Sequence, residues 1–224
     1  MAIHRSFSSS SRSAFECDES MKDIIRKDPL GEFFVWWLDF STKDITAFKK
    51  CLARATREAD LQKFLDAKPG LLAQQLGGGH GRWVIPQKRL GCEYVTDFMV
   101  GEKSSAGFEW YAVELESPMA KMFTKAGDPS RQLNHAIRQI SDWRSWLERN
   151  QPYAARLRTE HGLGLTDISP RLPGLILIGR TSDIADSSNE LRRQMMNELR
   201  IQIHSYDWLI GSNGALSVLP TTKY

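Results

Sequence analysis

No run in this 224-residue chain approaches the ~18 consecutive apolar residues of a membrane span, so a helical membrane protein is set aside. The opening residues, MAIHRSFSSSSRSAF, lack the apolar stretch of a secretory signal and read instead as a free serine-rich arm. Cysteine is scarce. Cys17, Cys51 and Cys92 are odd in number and lack the spacing of metal ligands, which points to a reducing, cytoplasmic setting with spectator thiols. Charge of one sign is also lacking: the net charge is +3 and the pI about 8.8, which permits a nucleic-acid partner without requiring one. The glycine turn GGGHGR, residues 77–82, does not end in the lysine and hydroxyl of a phosphate loop. There is no internal repeat.

What is present is enough apolar residue, 41%, to build a core in a chain of one-domain size. FFVWWL, residues 33–38, is the most hydrophobic stretch and reads as core or as a contact between subunits. From Ser41 to Leu76 the pattern is helical, with cap candidates at Ser41 and Thr42, a buried stripe at Leu61, Phe64 and Leu65, and a break at Pro69-Gly70. Three strands follow, RWVIPQKRL, EYVTDFMV and FEWYAVELE, the last two joined across GEKSSAG as a hairpin. A long helix carries Leu133, Ile137, Ile140, Trp143 and Leu147 on its inner stripe. GLILIGR is a buried strand, 189–200 a helix, and IQIHSY a late strand. The order predicts an α/β domain with a mixed sheet flanked by helices.

The chemistry concentrates in WYAVELESP, residues 110–118. Alternation puts Tyr111, Val113 and Leu115 on one strand face and Ala112, Glu114 and Glu116 on the other. Two carboxylates side by side repel, and each raises the pKa of the other. The hairpin brings Asp97 level with Glu114. Asp97, Glu114, Glu116 and the backbone carbonyl of Leu115 are therefore candidate ligands for a hard divalent ion, Mg2+ or Mn2+, of the kind that phosphodiester hydrolysis uses. The bland alternative is neutralisation by Lys88, Lys121 or Lys125. For nucleic-acid contact the candidates are Lys88, Lys121, Lys125, Arg131, His135, Arg138 and Arg180; a solvated basic face looks the same in sequence.

In this order, TDFMV, WYAVELESP, FTKAGD, LNHAIRQISDW, with READLQKFLDAKPGLL upstream and LILIGR and HSYDWLI downstream, the chain resembles the Shedu nuclease family of bacterial anti-phage proteins. The resemblance runs from about Arg57 to Ile210. It implies a PD-(D/E)xK restriction-endonuclease-like fold that cuts DNA, in preference to RNA, with a divalent metal. In that pattern the two acids fall on Asp97 and Glu114, and Gln139 sits beside the site. Glu58 becomes a candidate outer contact. Glu116 occupies the position usually held by lysine. A carboxylate there cannot stabilise charge as a cation, but can hold a metal-bound water or act as a base; related restriction enzymes carry an acid there too. Family members are often oligomeric, which makes a homo-oligomer the expectation and gives the arm, residues 1–20, and the aromatic extension, residues 21–50, a role in assembly ahead of a nuclease domain at 51–224. A non-cleaving module that keeps the fold, and hydrolysis of RNA or free nucleotides, stay open as alternatives.

Overall fold

The computed structural model describes residues 30–36, 40–75 and 81–211. The serine-rich arm, Cys17, Trp37, Leu38 and His80 lie outside them. Strands β1 (Phe34–Val35), β2 (Gly81–Pro86), β5 (Phe98–Ser104), β6 (Gly107–Leu115), β7 (Gly174–Leu177) and β8 (Ile201–His204) form one six-stranded sheet in that spatial order, while β3 (Arg89–Leu90) and β4 (Tyr94–Val95) make a separate ribbon. Pairing is antiparallel from β1 to β6 and parallel from β6 to β8, so the sheet is mixed as expected. The helices are α1 (Thr42–Arg54), α2 (Glu58–Ala67), α3 (Gly70–Ala73), α4 (Arg131–Ala155), α5 (Asn189–Leu199) and α6 (Trp208–Gly211). Among the described residues no helix is long and apolar enough to cross a membrane.

Alternation along β6 sorts its side chains between two cores. Val113 and Leu115 join Phe98, Val100, Leu175 and Leu177 under α1 to α3, where Phe48, Leu52, Leu61 and Leu65 pack. Trp110 and Ala112 join Met99 and Ile176 under α4, where Leu133, Ala136, Ile140, Trp143 and Leu147 pack. Each fully buried large apolar side chain contributes about 1.5–3 kcal/mol. β6 is thus buried on both faces, and its even-numbered row runs from apolar into acid at its carboxyl end. Ile137, expected on the inner stripe of α4, is only partly buried, and Trp146 is buried instead.

Three local expectations are corrected. The helical stretch after Ser41 breaks at Ala55, which turns to extended backbone (φ −66°, ψ 128°), before α2 begins at Glu58. The first helix starts where expected, on a capping box in which Asp44 N–H donates to Ser41 Oγ and Ser41 N–H to Asp44 Oδ2. RWVIPQKRL is not one strand: Gln87 takes φ 44° and sends the chain into β3. GEKSSAG is mostly strand, because Ser104 pairs with Gly107 and leaves Ser105-Ala106 as the turn. β1 is hydrogen-bonded at the sheet edge and α1 packs with Val113 and Leu115, so β1 and α1 share the sheet and core of the rest, and residue 50 falls inside α1.

Candidate metal site

The carboxyl end of β6 is where the acids meet. Glu114 is buried, 5% exposed, on the face toward α4. Phe98 pairs with Val113, so Asp97, in the bend one residue before β5 rather than in the strand, stands opposite Glu114. Asp97 is pinned from three sides: its Oδ2 accepts the Leu115 N–H at 2.7 Å, and its carbonyl accepts Gln87 N–H at 2.8 Å and Gln62 Nε2 at 3.4 Å. Its carboxyl also hydrogen-bonds that of Glu114. Glu116 follows β6; its N–H donates to the Leu177 carbonyl at 2.9 Å, and its carbonyl accepts the hydroxyl of fully buried Tyr206 at 2.7 Å. His135, in the second turn of α4, brings Nδ1 to 3.2 Å from Glu116 Oε1. The break before α2 places Glu58 in its first turn, at the positive end of the helix dipole.

These groups share one electrostatic environment. Burial, then Asp97 and Glu116, push Glu58 up to about 7, with His135 opposing. Burial raises Asp97 to about 6, against the hydrogen bonds from Leu115 N–H and Glu114. Burial and then the charges of Asp97, Glu58 and Glu116 drive Glu114 well above the carboxylate range, and the Asp97–Glu114 pair holds a proton between them in the metal-free protein. Glu116 is raised by burial and relieved by His135. The largest charges acting on Glu114 are the carboxylates of Asp97, Glu58 and Glu116. Donor atoms of Glu114, Glu116 and His135 lie within 4.8 Å of one another, a group able to hold a metal ion. Of the expected ligands this group contains Glu114 and Glu116, and it adds His135; the Leu115 N–H meanwhile clamps Asp97.

The family model of the C-terminal part of Shedu protein SduA matches residues 55–210. The chain belongs to the Shedu family. No curated protein matches it. Membership carries the family's association with anti-phage defence, and the mixed sheet flanked by helices is compatible with a nuclease-like fold. The match begins at Ala55, so α1 and β1 lie ahead of the matched Shedu region although they pack into its sheet.

The remaining candidates divide. Arg131 and His135, with Gln132, line a small cavity of about 170 Å3 whose acidic wall is Glu116. Gln139 is half-buried one helical turn beyond His135. Lys121 and Lys125 line a neighbouring cavity of about 400 Å3. Arg138 is exposed and lies 3.8 Å from Asp142 on its own helix. Two cations are held elsewhere. Lys88 donates to the Leu163 carbonyl at 2.7 Å, and its charged neighbours are Arg158 and Glu32, so it does not serve the Shedu acids. Arg180 forks onto Asp207 at 2.9 and 3.0 Å. Tyr206 had no role from sequence; the signal for it was a lone polar aromatic inside the matched HSYDWLI segment.

Proposed function

We propose that this Shedu domain is a metal-dependent endonuclease that hydrolyses phosphodiester bonds of DNA in defence against foreign nucleic acid. The observation that carries the reading is the buried carboxylate cluster at the end of β6, where Glu114 stands among the charges of Asp97, Glu58 and Glu116 while Glu114, Glu116 and His135 converge. Such an arrangement is costly alone and is relieved by a divalent cation. The donor set fits one: carboxylate oxygens suit Mg2+ and Mn2+, and an imidazole moves the preference toward Mn2+. Glu114, Glu116 and His135 would hold the ion, which when bound lowers the pKa of an attacking water and neutralises charge on the leaving oxygen. Asp97 fixes Glu114 through their hydrogen bond and is itself fixed by the Leu115 N–H. Glu116, the carboxylate in the position usually held by lysine, accepts the proton of the attacking water, and His135 at 3.2 Å orients it. Arg131 and Gln132, on the same cavity as Glu116, anchor the phosphate. The preference for DNA over RNA rests on the family.

The test is cleavage of supercoiled, linear and single-stranded DNA and of RNA in Mg2+, Mn2+ or EDTA, with Asp97→Asn, Glu116→Gln and His135→Gln proteins alongside. Metal-dependent cutting that falls about 100-fold or more in the two carboxylate variants supports the reading. Loss of His135 should weaken Mn2+ binding more than Mg2+ binding. No cutting of any substrate, with no divalent-ion binding by calorimetry, would replace it with a non-cleaving module that keeps the fold.

A further inference from the structure

A second cavity, of about 620 Å3, opens at the carboxyl ends of β7 and β8. It is larger than the cavity over Glu116 and falls in the range of small-ligand sites, about 300–1,000 Å3. Because β6, β7 and β8 are parallel, this end lies on the same sheet edge as the carboxylates, and at ~4.8 Å per strand β8 is about 10 Å from β6. The two places are joined by backbone: Gly179 N–H donates to the Ser117 carbonyl at 3.2 Å, Tyr206 N–H to the Gly179 carbonyl at 3.2 Å, and the Tyr206 hydroxyl to Glu116.

The walls offer two unlike surfaces. On one side the Arg180–Asp207 fork is internally neutral and is fixed by Thr181 N–H to Asp207 Oδ2 at 2.8 Å and by Thr181 Oγ1 to Ser205 Oγ at 2.6 Å. Arg192, in the first turn of α5, is different. Its Nε is buried without a hydrogen-bond partner, and among the described residues it forms no ion pair. A buried donor left unpaired needs an acceptor from somewhere. On the other side His204 and Trp208 stack, ring centroids 4.0 Å apart and planes 5° from parallel, and both rings line the cavity. Burial, and then the Arg192 charge, hold His204 down at about 4, so the stacked pair is neutral at pH 7. Asp186 adds one exposed carboxylate at the rim.

A guanidinium without a partner among the described residues, lining the same cavity as a neutral aromatic plate, matches the two halves of a nucleotide. We propose that this cavity binds one nucleotide unit of the strand engaged at the carboxylate cluster, its phosphate at Arg192 and its base against the His204–Trp208 pair. Stacking on such a plate accepts any base. The choice of a strand over a free nucleotide rests on the nuclease reading; the nucleotide chemistry of the cavity does not.

The test therefore reads binding, not cleavage. Full-length protein in EDTA is titrated with deoxyadenosine monophosphate, deoxyribose 5-phosphate and inorganic phosphate, by calorimetry and tryptophan fluorescence. The expected order of affinity is nucleotide, then sugar phosphate, then phosphate. Arg192→Gln and Trp208→Ala should each weaken the nucleotide by about 5- to 100-fold, while Arg149→Ala, exposed on α4 and outside the cavity lining, leaves it unchanged. Circular dichroism checks each fold, and Arg192→Gln decides alone if Trp208→Ala does not fold. A single-stranded oligonucleotide should then displace the nucleotide. Absence of saturable nucleotide binding, or binding indifferent to Arg192, overturns the site. Binding that no oligonucleotide displaces overturns the strand assignment in favour of a free nucleotide. Nucleotide binding and displacement without cleavage of any substrate would sink the nuclease reading and uphold this site.

Discussion

Replacing Glu114 by glutamine should make the metal-free protein more stable while removing its metal site. The Glu114 carboxyl has an ordinary value of 4.5 and is driven to about 10 by burial and its acidic neighbours. At pH 7 the folded protein therefore carries it protonated, whereas the unfolded chain carries it ionised, so folding takes up a proton. That uptake costs about 1.4 kcal/mol per pH unit above 4.5, or about 3 kcal/mol at pH 7, wherever above 7 the folded value lies. A group with a raised folded pKa imposes no penalty below its unfolded value and an increasing one as pH climbs toward the folded value. Glutamine has the shape of the protonated acid, and its amide can donate to Asp97 in the same place, so packing is retained while the proton uptake disappears. The Gln variant should thus lead the parent by about 0.7 kcal/mol at pH 5 and about 3 kcal/mol at pH 7 in EDTA. Urea unfolding at pH 5, 6 and 7 measures the gap, with an unchanged m-value showing that the comparison is fair. With Mn2+ at 100 times its Kd the parent alone should gain about 2.7 kcal/mol. A variant no more stable than the parent at pH 7, or a gap that does not widen with pH, would mean that Glu114 is ionised and compensated, and the argument for a cation-seeking cluster would go with it.

Three further substitutions probe the frame around the site. Arg180→Ala removes the fork on Asp207 and loosens Thr181, which should cost about 1–3 kcal/mol in urea unfolding, yet leave the salt dependence of nucleic-acid binding unaltered; a slope smaller by about one unit would show Arg180 to be a phosphate contact after all. Gly179→Ala puts a Cβ 2.2 Å from the Ala120 carbonyl at φ 66° and should destabilise by about 2 kcal/mol or more, lowering any cleavage with it because Gly179 holds Ser117, next to Glu116; Gly127→Ala, with open space around it at φ 92°, should cost only about 1 kcal/mol.

The parts of the fold legible in the sequence are those where one physical pattern dominates. Alternation in β6 put Val113 and Leu115 opposite Ala112 and Glu114, and burial on both faces follows it. The polar residue at Ser41 marked a helix start because a capping box needs it. What stayed hidden lacked a local signal. Ala55-Thr56-Arg57 contains neither glycine nor proline, and the apolar stripes of α1 and α2 read as continuous across it. GEKSSAG looks like a loop by composition, yet pairing with residues 107–110 carries the strand through Ser104. Tertiary pairing overrode propensity there.

The site divides on the same line. That Asp97 stands opposite Glu114 was legible because a hairpin fixes which residues oppose each other. The partners of Arg180 and Lys88, Asp207 and the Leu163 carbonyl, were not, because they are remote in sequence, and nearness along the chain to an acid says nothing about which acceptor a long cationic side chain reaches. Glu116 is the instructive case. From sequence it marked a missing lysine, a loss. In the fold its carboxylate stands 3.2 Å from His135 on a different element, so α4 supplies a polar partner that the strand lacks. Periodicity could place His135 on an exposed face with Arg131 and Arg138, and could go no further, since all three look alike until β6 is laid against the helix. Side-chain exposure then separates them from Glu116: Arg138 is 81% exposed and His135 62%, but Glu116 only 12%. A mostly buried carboxylate beside one solvent-facing imidazole keeps a polar partner that its own strand does not supply. On the proposed nuclease reading, Glu116 and His135 act together in the position usually held by lysine.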